Sequence, residues 1–223
     1  MRIDQKAGLV EKEFETDKSQ AYLDNYRRFF SPLRDASIKL LEIGVYQGGS
    51  LLLWRDYFER GDIVGIDINP VKLDQEIDRV SIYQGSQDDS KLCAKIVKER
   101  APEGFDIIVE DASHFGSETL ATFDLYFKQA LKPGGIYVIE DWGTGYWSKW
   151  KDGHDFIPHT KTWSGRFRSH DYGMVGVVKQ IADYVAASDI NNLTMTRRSN
   201  VLDFPCIEEI TIFHGQVFIR KGK

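Results

Sequence analysis

The sequence predicts an α/β fold, in which a mostly parallel seven-stranded sheet carries helices on both faces and ends in an antiparallel hairpin. Short apolar segments rich in β-branched residues alternate with helical patterns between residues 38 and 139, and this alternation is typical of a parallel sheet. The His214-Gly215 pair lies between two apolar segments and indicates the closing hairpin. A chain of 223 residues is long enough for one such domain.

The first predicted element is a helix that starts at Ser19. Its aromatic and apolar residues recur at helical spacing and form one stripe, and they are Tyr22, Tyr26, Phe29, Phe30 and Leu33. Pro32 near its end favours a stop or a kink. We therefore expect residues 1–36 to be a helical N-terminal extension and residues 37–223 to be the main domain.

The elements that follow are short and are separated by glycine, proline or charged residues. Strands are predicted at residues 38–43, 63–66, 80–83, 105–109 and 136–139. Helices are predicted at residues 50–58, 91–98 and 117–131. The last of these is expected to end at Lys132-Pro-Gly-Gly135, because proline and glycine commonly follow a helix.

The pattern changes after the fifth predicted strand. Residues 142–170 form a long loop that is rich in aromatic residues and punctuated by glycine, and long loops in compact domains are usually functional. A last helix is predicted at residues 171–187. Two hairpin strands at residues 207–213 and 216–220 then complete the sheet.

Composition and charge exclude several classes of partner. The net charge of −5 argues against general binding to nucleic acid, because nucleic-acid-binding domains usually carry a basic surplus. No apolar segment approaches the length of a membrane span, and the N-terminus lacks the apolar core of a signal peptide. Cys93 and Cys206 show no metal-binding spacing. We expect a cytoplasmic protein with no nucleic-acid or membrane partner.

A glycine-rich turn follows the first predicted strand, in Leu40-Leu-Glu-Ile-Gly-Val-Tyr-Gln-Gly-Gly-Ser50. Glycines let the backbone approach a ligand closely, and the helix that follows offers unpaired N–H groups. The turn lacks the lysine of a P-loop and the spacing of a dinucleotide fingerprint. S-adenosylmethionine instead needs backbone proximity and acidic groups, which Glu42 and Asp67 would supply, the latter for the ribose hydroxyls.

These residues resemble the class I S-adenosylmethionine-dependent methyltransferases. The resemblance covers roughly residues 38–220 and includes the turn, the acidic end of the second strand, Leu131-Lys-Pro-Gly-Gly135 and the hairpin. Within that class, Asp111-Ala-Ser-His114, Ile139-Glu-Asp-Trp142 and Tyr146-Trp147 resemble the metal-dependent macrolide-sugar O-methyltransferases of the mycinamicin and macrocin type. This implies a Rossmann-like methyltransferase fold, S-adenosylmethionine and Mg²⁺ as cofactors, a small-molecule hydroxyl acceptor and a homo-oligomer.

The resemblance also implies a methyl-donor site made of polar and glycine positions. Its expected members are Thr16, Lys18, Glu42, Gly44, Gln47, Gly48, Ser50, Asp67, Ser86, Gln87, Asp88 and Asp111. The segment Gln84-Gly-Ser-Gln-Asp88 is expected to lie along the adenine. A polar turn without ligand contact is the alternative for that segment.

Two of the predicted strands end in the same Glu-Asp pair, at Glu110-Asp111 and at Glu140-Asp141. Open α/β sheets bind ligands at the carboxyl ends of their strands. In the strand order that the resemblance implies, Asp111, Glu140 and Asp141 converge and hold Mg²⁺, which prefers oxygen ligands. Such an ion would lower the pKa of an acceptor hydroxyl and fix its direction. The alternative is that one or more of these carboxylates caps a following helix.

Further candidate residues lie beside the carboxylates. His114 follows Asp111 by three residues and could accept the hydroxyl proton, so Asp111 and His114 are the predicted catalytic residues. Trp142, Tyr146 and Trp147 are candidate substrate contacts, because aromatic faces stack on sugar rings or flat polyketides. An equally weighted alternative is that these aromatics pin the loop to the domain or form a subunit interface.

The residues leave several functions open. The leading interpretation is a Mg²⁺-dependent O-methyltransferase that acts on a hydroxyl of a small glycoside or natural-product sugar. A catechol-type phenol is the alternative acceptor, although those enzymes usually carry Asp-Asn after the fifth strand, where this chain has Glu140-Asp141. A nicotinamide-dependent oxidoreductase and a non-catalytic ligand-binding scaffold are the alternatives from other classes.

Overall fold

A computed structural model describes residues 16, 18–71, 73, 77–154, 172–187 and 206–223, and every structural statement refers to these residues. The strands are β1 (Lys39–Ile43), β2 (Asp62–Asp67), β3 (Val80–Gln84), β4 (Phe105–Glu110), β5 (Leu131–Glu140), β6 (Ile207–Ile212) and β7 (Gln216–Lys221). The helices are α1 (Gln20–Phe30), α2 (Gly49–Tyr57), α3 (Ser90–Arg100), α4 (Gly116–Gln129), α5 (Lys151–His154) and α6 (Gly173–Ala187). The strand order β3-β2-β1-β4-β5-β7-β6 gives one seven-stranded sheet, which confirms the predicted fold class.

The chain divides after Ala112 into two compact units. In the first unit β1 pairs in parallel with both β2 and β4, and β2 pairs in parallel with β3. Leu41 lies opposite Val64 on one side and opposite Ile108 on the other, and all three side chains are buried. These apolar, β-branched strands are buried because parallel sheets are covered on both faces. The predicted strands and helices of this unit are confirmed to within two residues.

Helix α1 belongs to the core of the first unit. The ring centroids of Tyr26 and Phe30 lie 4.8 Å and 5.8 Å from that of Trp54 on α2, and all three side chains are fully buried. Aromatic pairs at this distance stabilise packing beyond their buried area. The predicted aromatic stripe is therefore the face that attaches α1 to α2, whereas the expected domain boundary near residue 36 stays a prediction.

In the second unit, β7 pairs antiparallel with both β5 and β6, which confirms the predicted hairpin. Strand β5 is longer than expected because it already starts at Leu131, and α4 ends at Gln129. The helix therefore ends before Lys132-Pro-Gly-Gly135 as predicted, but the fifth strand, predicted from residue 136, starts earlier and includes this segment. Proline is compatible with extended backbone near a strand start, and Gly134 adopts a φ of +77° at no steric cost.

The predicted loop at residues 142–170 is partly ordered into helix. Residues Trp142–Tyr146 form a 3₁₀-helix and Lys151–His154 form α5, while residues 155–171 lie outside the described ranges. The last predicted helix is confirmed as α6. Within the described residues, none of the helices combines the length and the apolar character needed to span a lipid bilayer.

Candidate functional site

Two glycines shape the turn between β1 and α2. Gly44 and Gly48 both adopt a φ of +86°, a left-handed conformation that favours glycine over other residues. A Cβ at Gly44 would also collide with the backbone oxygen of Asp111, at the end of β4. The turn therefore requires glycine at both positions, and it places bare backbone at the carboxyl ends of β1 and β4.

Asp67, at the end of β2, stabilises this turn through hydrogen bonds to its backbone. One oxygen of its carboxylate, Oδ2, accepts hydrogen bonds from the backbone N–H groups of Val45 (3.0 Å) and Tyr46 (2.9 Å). The other oxygen, Oδ1, accepts the N–H of Asn69 at 2.8 Å. A carboxylate offers roughly four acceptor positions, so these contacts leave Asp67 room for about one further hydroxyl rather than for both hydroxyls of a ribose.

A buried group of charges lies beside the turn. The ammonium of Lys18 is 2.8 Å from Oδ2 of Asp111 and 3.4 Å from Oε1 of Glu42, and the Lys18 side chain is 2% exposed. The hydroxyl of Ser50 donates to Oε2 of Glu42 at 2.6 Å, while the hydroxyl of Thr16 accepts the backbone N–H of Lys18 at 3.3 Å. The structure thus brings together five of the predicted donor-site residues.

Glu42 is the most deeply buried member of this group and is fully inaccessible to solvent. Burial raises the pKa of Glu42 above its usual value, and the nearby Lys18 ammonium and the Ser50 hydroxyl oppose that rise. The resemblance pointed to Lys18 as a donor-site residue, but nothing in the sequence indicated that it would pair with two carboxylates. Residues 18, 42 and 111 meet only because the sheet brings β1 and β4 together.

The predicted adenine segment forms a polar turn. The hydroxyl of Ser86 donates to Asp88 at 2.6 Å, Gln87 is buried, and Asp89 accepts the N–H groups of Lys91 and Leu92 at the start of α3. These hydrogen bonds agree with the alternative that the segment is an ordinary polar turn at the start of a helix. Contact of Ser86, Gln87 and Asp88 with a ligand, like that of the exposed Gln47 on the glycine turn, stays a prediction.

Asp111, His114 and Asp141 form a candidate metal-binding group. One carboxylate oxygen from each aspartate and one ring nitrogen of His114 all lie within 4.8 Å of one another. The Nε2 atom of His114 is 3.8 Å from Oδ2 of Asp141, which is too long for a hydrogen bond. Oxygen atoms of two carboxylates and an imidazole nitrogen are suitable ligands or neighbours for a divalent cation.

Glu140 is not among the three residues of this group, and its role as a metal ligand stays a prediction. Its side chain is buried, and its Oε1 accepts a hydrogen bond of 3.4 Å from the amide of Gln216 on β7. Glu140 is the last residue of β5 and lies opposite Gln216 in the register of the antiparallel pair. Asp141 leaves the strand with a φ of +54°, and His114 takes the third place in the group.

The carboxylate that caps helices in the second unit is Asp152, which the sequence analysis missed. Its Oδ2 accepts the N–H of Gly116 at 2.8 Å and the N–H of Met174 at 3.0 Å. These two groups belong to the first turns of α4 and α6. By contrast, Asp141 makes no capping hydrogen bond with its side chain. No local signal could have identified Asp152, since its partners lie 36 and 22 residues away.

The aromatic residues of the 142–154 segment fall into two groups. Trp142 and Trp150 donate their indole N–H groups to backbone oxygens, that of Phe213 at 2.9 Å and that of His114 at 3.0 Å. Tyr146 and Trp147 are 40% and 55% exposed. Trp142 therefore supports the expectation that the aromatics pin the loop, whereas Tyr146 and Trp147 present surface that a sugar ring could cover.

Comparison with known proteins is consistent with these features. No protein-family model matches the chain. The chain is 29% identical over 209 residues to mycinamicin VI 2''-O-methyltransferase from Micromonospora griseorubida, covering 91% of this chain and 48% of the relative. It is 30% identical over 208 residues to demethylmacrocin O-methyltransferase from Streptomyces fradiae, covering 90% and 48%, respectively.

A solved structure gives the same result. The MycE methyltransferase in complex with Mg, SAH and mycinamycin VI superposes with a TM-score of 0.70 at 30% identity, over 91% of this chain and 49% of that one. The chain has a methyltransferase fold. The resemblance to macrolide-sugar O-methyltransferases is thereby confirmed, and the chain spans about half the length of the curated relatives that it matches.

Proposed function

We propose that the chain is an S-adenosylmethionine-dependent, Mg²⁺-dependent O-methyltransferase that methylates a sugar hydroxyl of a small natural product. The observation that carries the proposal is the group formed by Asp111, His114 and Asp141, which could hold a metal ion. The relatives support it by name, since they are O-methyltransferases of mycinamicin VI, of demethylmacrocin and of a rhamnosyl-tetracenomycin. One of them was crystallised with Mg, with the demethylated donor product SAH and with its acceptor.

The methyl donor would be held by the first unit, and it would supply an electrophilic methyl group. The residues proposed to hold it are Thr16, Lys18, Glu42, Gly44, Gln47, Gly48, Ser50, Asp67, Ser86, Gln87, Asp88 and Asp111. The fit rests on the bare backbone at Gly44 and Gly48 and on the acceptor position that Asp67 retains. The buried carboxylate of Glu42 adds a second acidic group for the donor.

Asp111 and Asp141 are proposed to hold Mg²⁺. Their oxygens are the hard ligands that this ion prefers, and when bound it would lower the pKa of an acceptor hydroxyl and fix its direction. Lys18 contacts Oδ2 of Asp111 at 2.8 Å, so a buried opposite charge already lies beside this carboxylate. Glu140 has no part in the proposal.

His114 is proposed to take the proton of the acceptor hydroxyl on a ring nitrogen. A histidine suits this role because its ordinary pKa lies close to neutral pH. Its side chain is 15% exposed, so the ring is shielded from bulk water and still accessible to a small molecule. Tyr146 and Trp147 would cover the sugar ring, and Trp142 would hold the segment that carries them. Assembly into a homo-oligomer and a cytoplasmic location stay predictions from the sequence.

An acceptor screen tests the proposal. The protein is incubated with S-adenosylmethionine, Mg²⁺ and a panel of deoxysugar glycosides and catechols, and products are analysed by mass spectrometry for the gain of one methyl group. We expect methylated glycosides and unmodified catechols. Methyl gain only on catechols would contradict the sugar assignment, and failure to bind S-adenosylhomocysteine in calorimetry would contradict methyl transfer altogether.

A matched pair of variants ties the activity to the metal-binding group. Asp141→Asn keeps the size of the side chain and removes its charge, so methyl transfer should fall by about a hundredfold or more, because a bound metal ion supplies several kcal/mol of charge stabilisation. Affinity for S-adenosylhomocysteine should be retained. Asp124→Asn on α4, where Asp124 forms an exposed pair with Lys128, should keep both properties. Equal loss of donor binding and turnover in Asp141→Asn would contradict a role in holding the metal.

A further inference from the structure

His114 has an unusual backbone conformation. Its φ is +53°, in the left-handed region that residues with a Cβ seldom adopt. Such a conformation persists only where the surroundings enforce it, and it occurs often at functional sites. The contacts that hold the backbone of His114 therefore bear on where its imidazole points.

Two side chains of the 142–154 segment bind the carbonyl oxygen of His114. The indole Nε1–H of Trp150 donates to it at 3.0 Å, and the hydroxyl of Thr144 donates to it at 3.3 Å. Thr144 is 1% exposed, and the ring of Trp150 lies 6.0 Å from that of His114 between centroids. Because both hydrogen bonds end on the carbonyl, they fix the backbone of His114 without occupying either ring nitrogen.

The segment that makes these contacts is itself anchored next to His114. Asp152, two residues after Trp150, accepts the N–H of Gly116, two residues after His114. The backbone around Gly153 is packed so closely against Trp147 that a Cβ at this glycine would collide with its carbonyl oxygen. The donors of Trp150 and Thr144 are thus held at a fixed place relative to the start of α4.

We propose that Trp150 and Thr144 are positioning residues, which hold the backbone of His114 so that its imidazole is directed for proton transfer. This rests on the proposed role of His114 as the base. The two residues touch neither the donor nor the acceptor in this role, and they act only through His114. Misplacement of a reacting group by about 1 Å can cost about a hundredfold in rate, so their loss should lower kcat and leave KM for donor and acceptor largely unchanged.

The test compares variants that differ by one hydrogen bond. Thr144→Val keeps the shape of the side chain and removes the donor, Thr144→Ser restores a hydroxyl, and Trp150→Phe keeps an aromatic ring without the N–H. We expect kcat to fall by about tenfold in Thr144→Val and in Trp150→Phe, with KM values within about twofold, and to recover in Thr144→Ser. Unchanged kcat in both Thr144→Val and Trp150→Phe would overturn the proposal.

A matched control separates positioning from stability. Thr122 on α4 also donates its hydroxyl to a backbone oxygen, that of Glu118 at 2.8 Å, and its side chain is fully buried. Thr122→Val should therefore lower the melting temperature about as much as Thr144→Val does, and should keep kcat. An equal fall of kcat in the two variants would show that lost stability is the cause and would overturn the proposal.

A double-mutant cycle and a spectrum separate this inference from the proposed function. In the His114→Ala background, Thr144→Val should cause no further loss of kcat; a full additional loss would overturn the inference. If His114→Ala itself keeps full turnover, the base role fails instead.

NMR spectroscopy gives a test that does not depend on turnover. The signals of the His114 ring are assigned by their absence in His114→Gln. They should shift in Thr144→Val and stay in place in Thr122→Val. Ring signals that stay in place in Thr144→Val would overturn the inference.

Discussion

Lys18 is a buried cation that connects two carboxylates of the candidate donor site. Its ammonium contacts Asp111 at 2.8 Å and Glu42 at 3.4 Å, and burying such charges is unfavourable unless they are paired. Removal of Lys18 would leave two buried carboxylates without this ammonium, whereas removal of one carboxylate would leave Lys18 paired with the other. The three residues therefore have to be considered together, both for the stability of the first unit and for donor binding.

The pH dependence of stability tests the environment of Glu42. Burial is the largest influence and raises the pKa of Glu42 above the ordinary value of 4.5, so the folded protein holds this proton more tightly than the unfolded chain. The stability that Glu42 contributes is then complete below about pH 4.5 and is lost as the pH rises through the raised pKa. Glu42→Gln cannot ionise and escapes this loss.

Urea unfolding of the wild type and of Glu42→Gln between pH 4 and pH 7 measures this effect. The unfolding free energy of Glu42→Gln minus that of the wild type should become more positive as the pH rises. Glu59→Gln, at an exposed carboxylate after α2, is the control variant and should show no such trend. A difference between Glu42→Gln and the wild type that is independent of pH would contradict the raised pKa.

Individual site residues could be predicted from the sequence where a local pattern marked them. The Glu-Asp pairs pointed to Asp111 and Asp141, and spacing from Asp111 together with the resemblance pointed to His114; their roles stay predictions. The same pattern pointed to Glu140, whose role stays a prediction and whose Oε1 accepts a hydrogen bond from Gln216. Contacts such as those of Lys18, or of Trp150 with His114, join residues far apart in the chain, and no pattern in a single sequence specifies them.

At the scale of elements, Asp152 connects α5 to the starts of α4 and α6. One carboxylate oxygen accepts an N–H group from each helix, and both helix starts are tightly packed around it. A Cβ at Gly116 would collide with the backbone of Gly173, and a Cβ at Gly173 would collide with the Asp152 carboxylate. Three helices of the second unit thus depend on one side chain and on two positions without a Cβ.

Truncation of Asp152 should be costly for this reason. Each lost helix cap costs about 0.5–2 kcal/mol, so Asp152→Ala should lower the unfolding free energy by about 1–4 kcal/mol. Asp152→Asn retains an acceptor oxygen and should lose less. Asp124→Ala, which breaks an exposed ion pair on α4, should cost less than about 1 kcal/mol. Chemical denaturation measures all three, and a cost for Asp152→Ala no larger than that of Asp124→Ala would contradict the capping role.

Element types were predicted well and their ends less well. Periodicity identified the seven strands and every helix but the short α5. Lys132-Pro-Gly-Gly135 suits the end of a helix and the start of a strand equally, and only pairing decides between them. Likewise, a segment with three tryptophans and one tyrosine between residues 142 and 150 gave no helical period, and its short helices are held by contacts to His114 and Gly116.

At the scale of the whole molecule, the alternation of strands and helices was sufficient to predict the seven-stranded sheet. The order of its strands explains why residues distant in the sequence become functional neighbours, since β1 lies between β2 and β4. The glycine turn follows β1, Asp111 follows β4, and Asp67 is the last residue of β2. The likeness to sugar O-methyltransferases extends over nine tenths of the chain and about half of each relative.

The central claim is that acceptor activation depends on a divalent cation held by Asp111 and Asp141. The most direct measurement is the rate at which S-adenosylhomocysteine forms from S-adenosylmethionine and a glycoside acceptor, in protein stripped with EDTA and then titrated with Mg²⁺. We predict a background rate in chelator and saturable recovery as Mg²⁺ is added. A rate in chelator equal to that with saturating Mg²⁺ would contradict the claim.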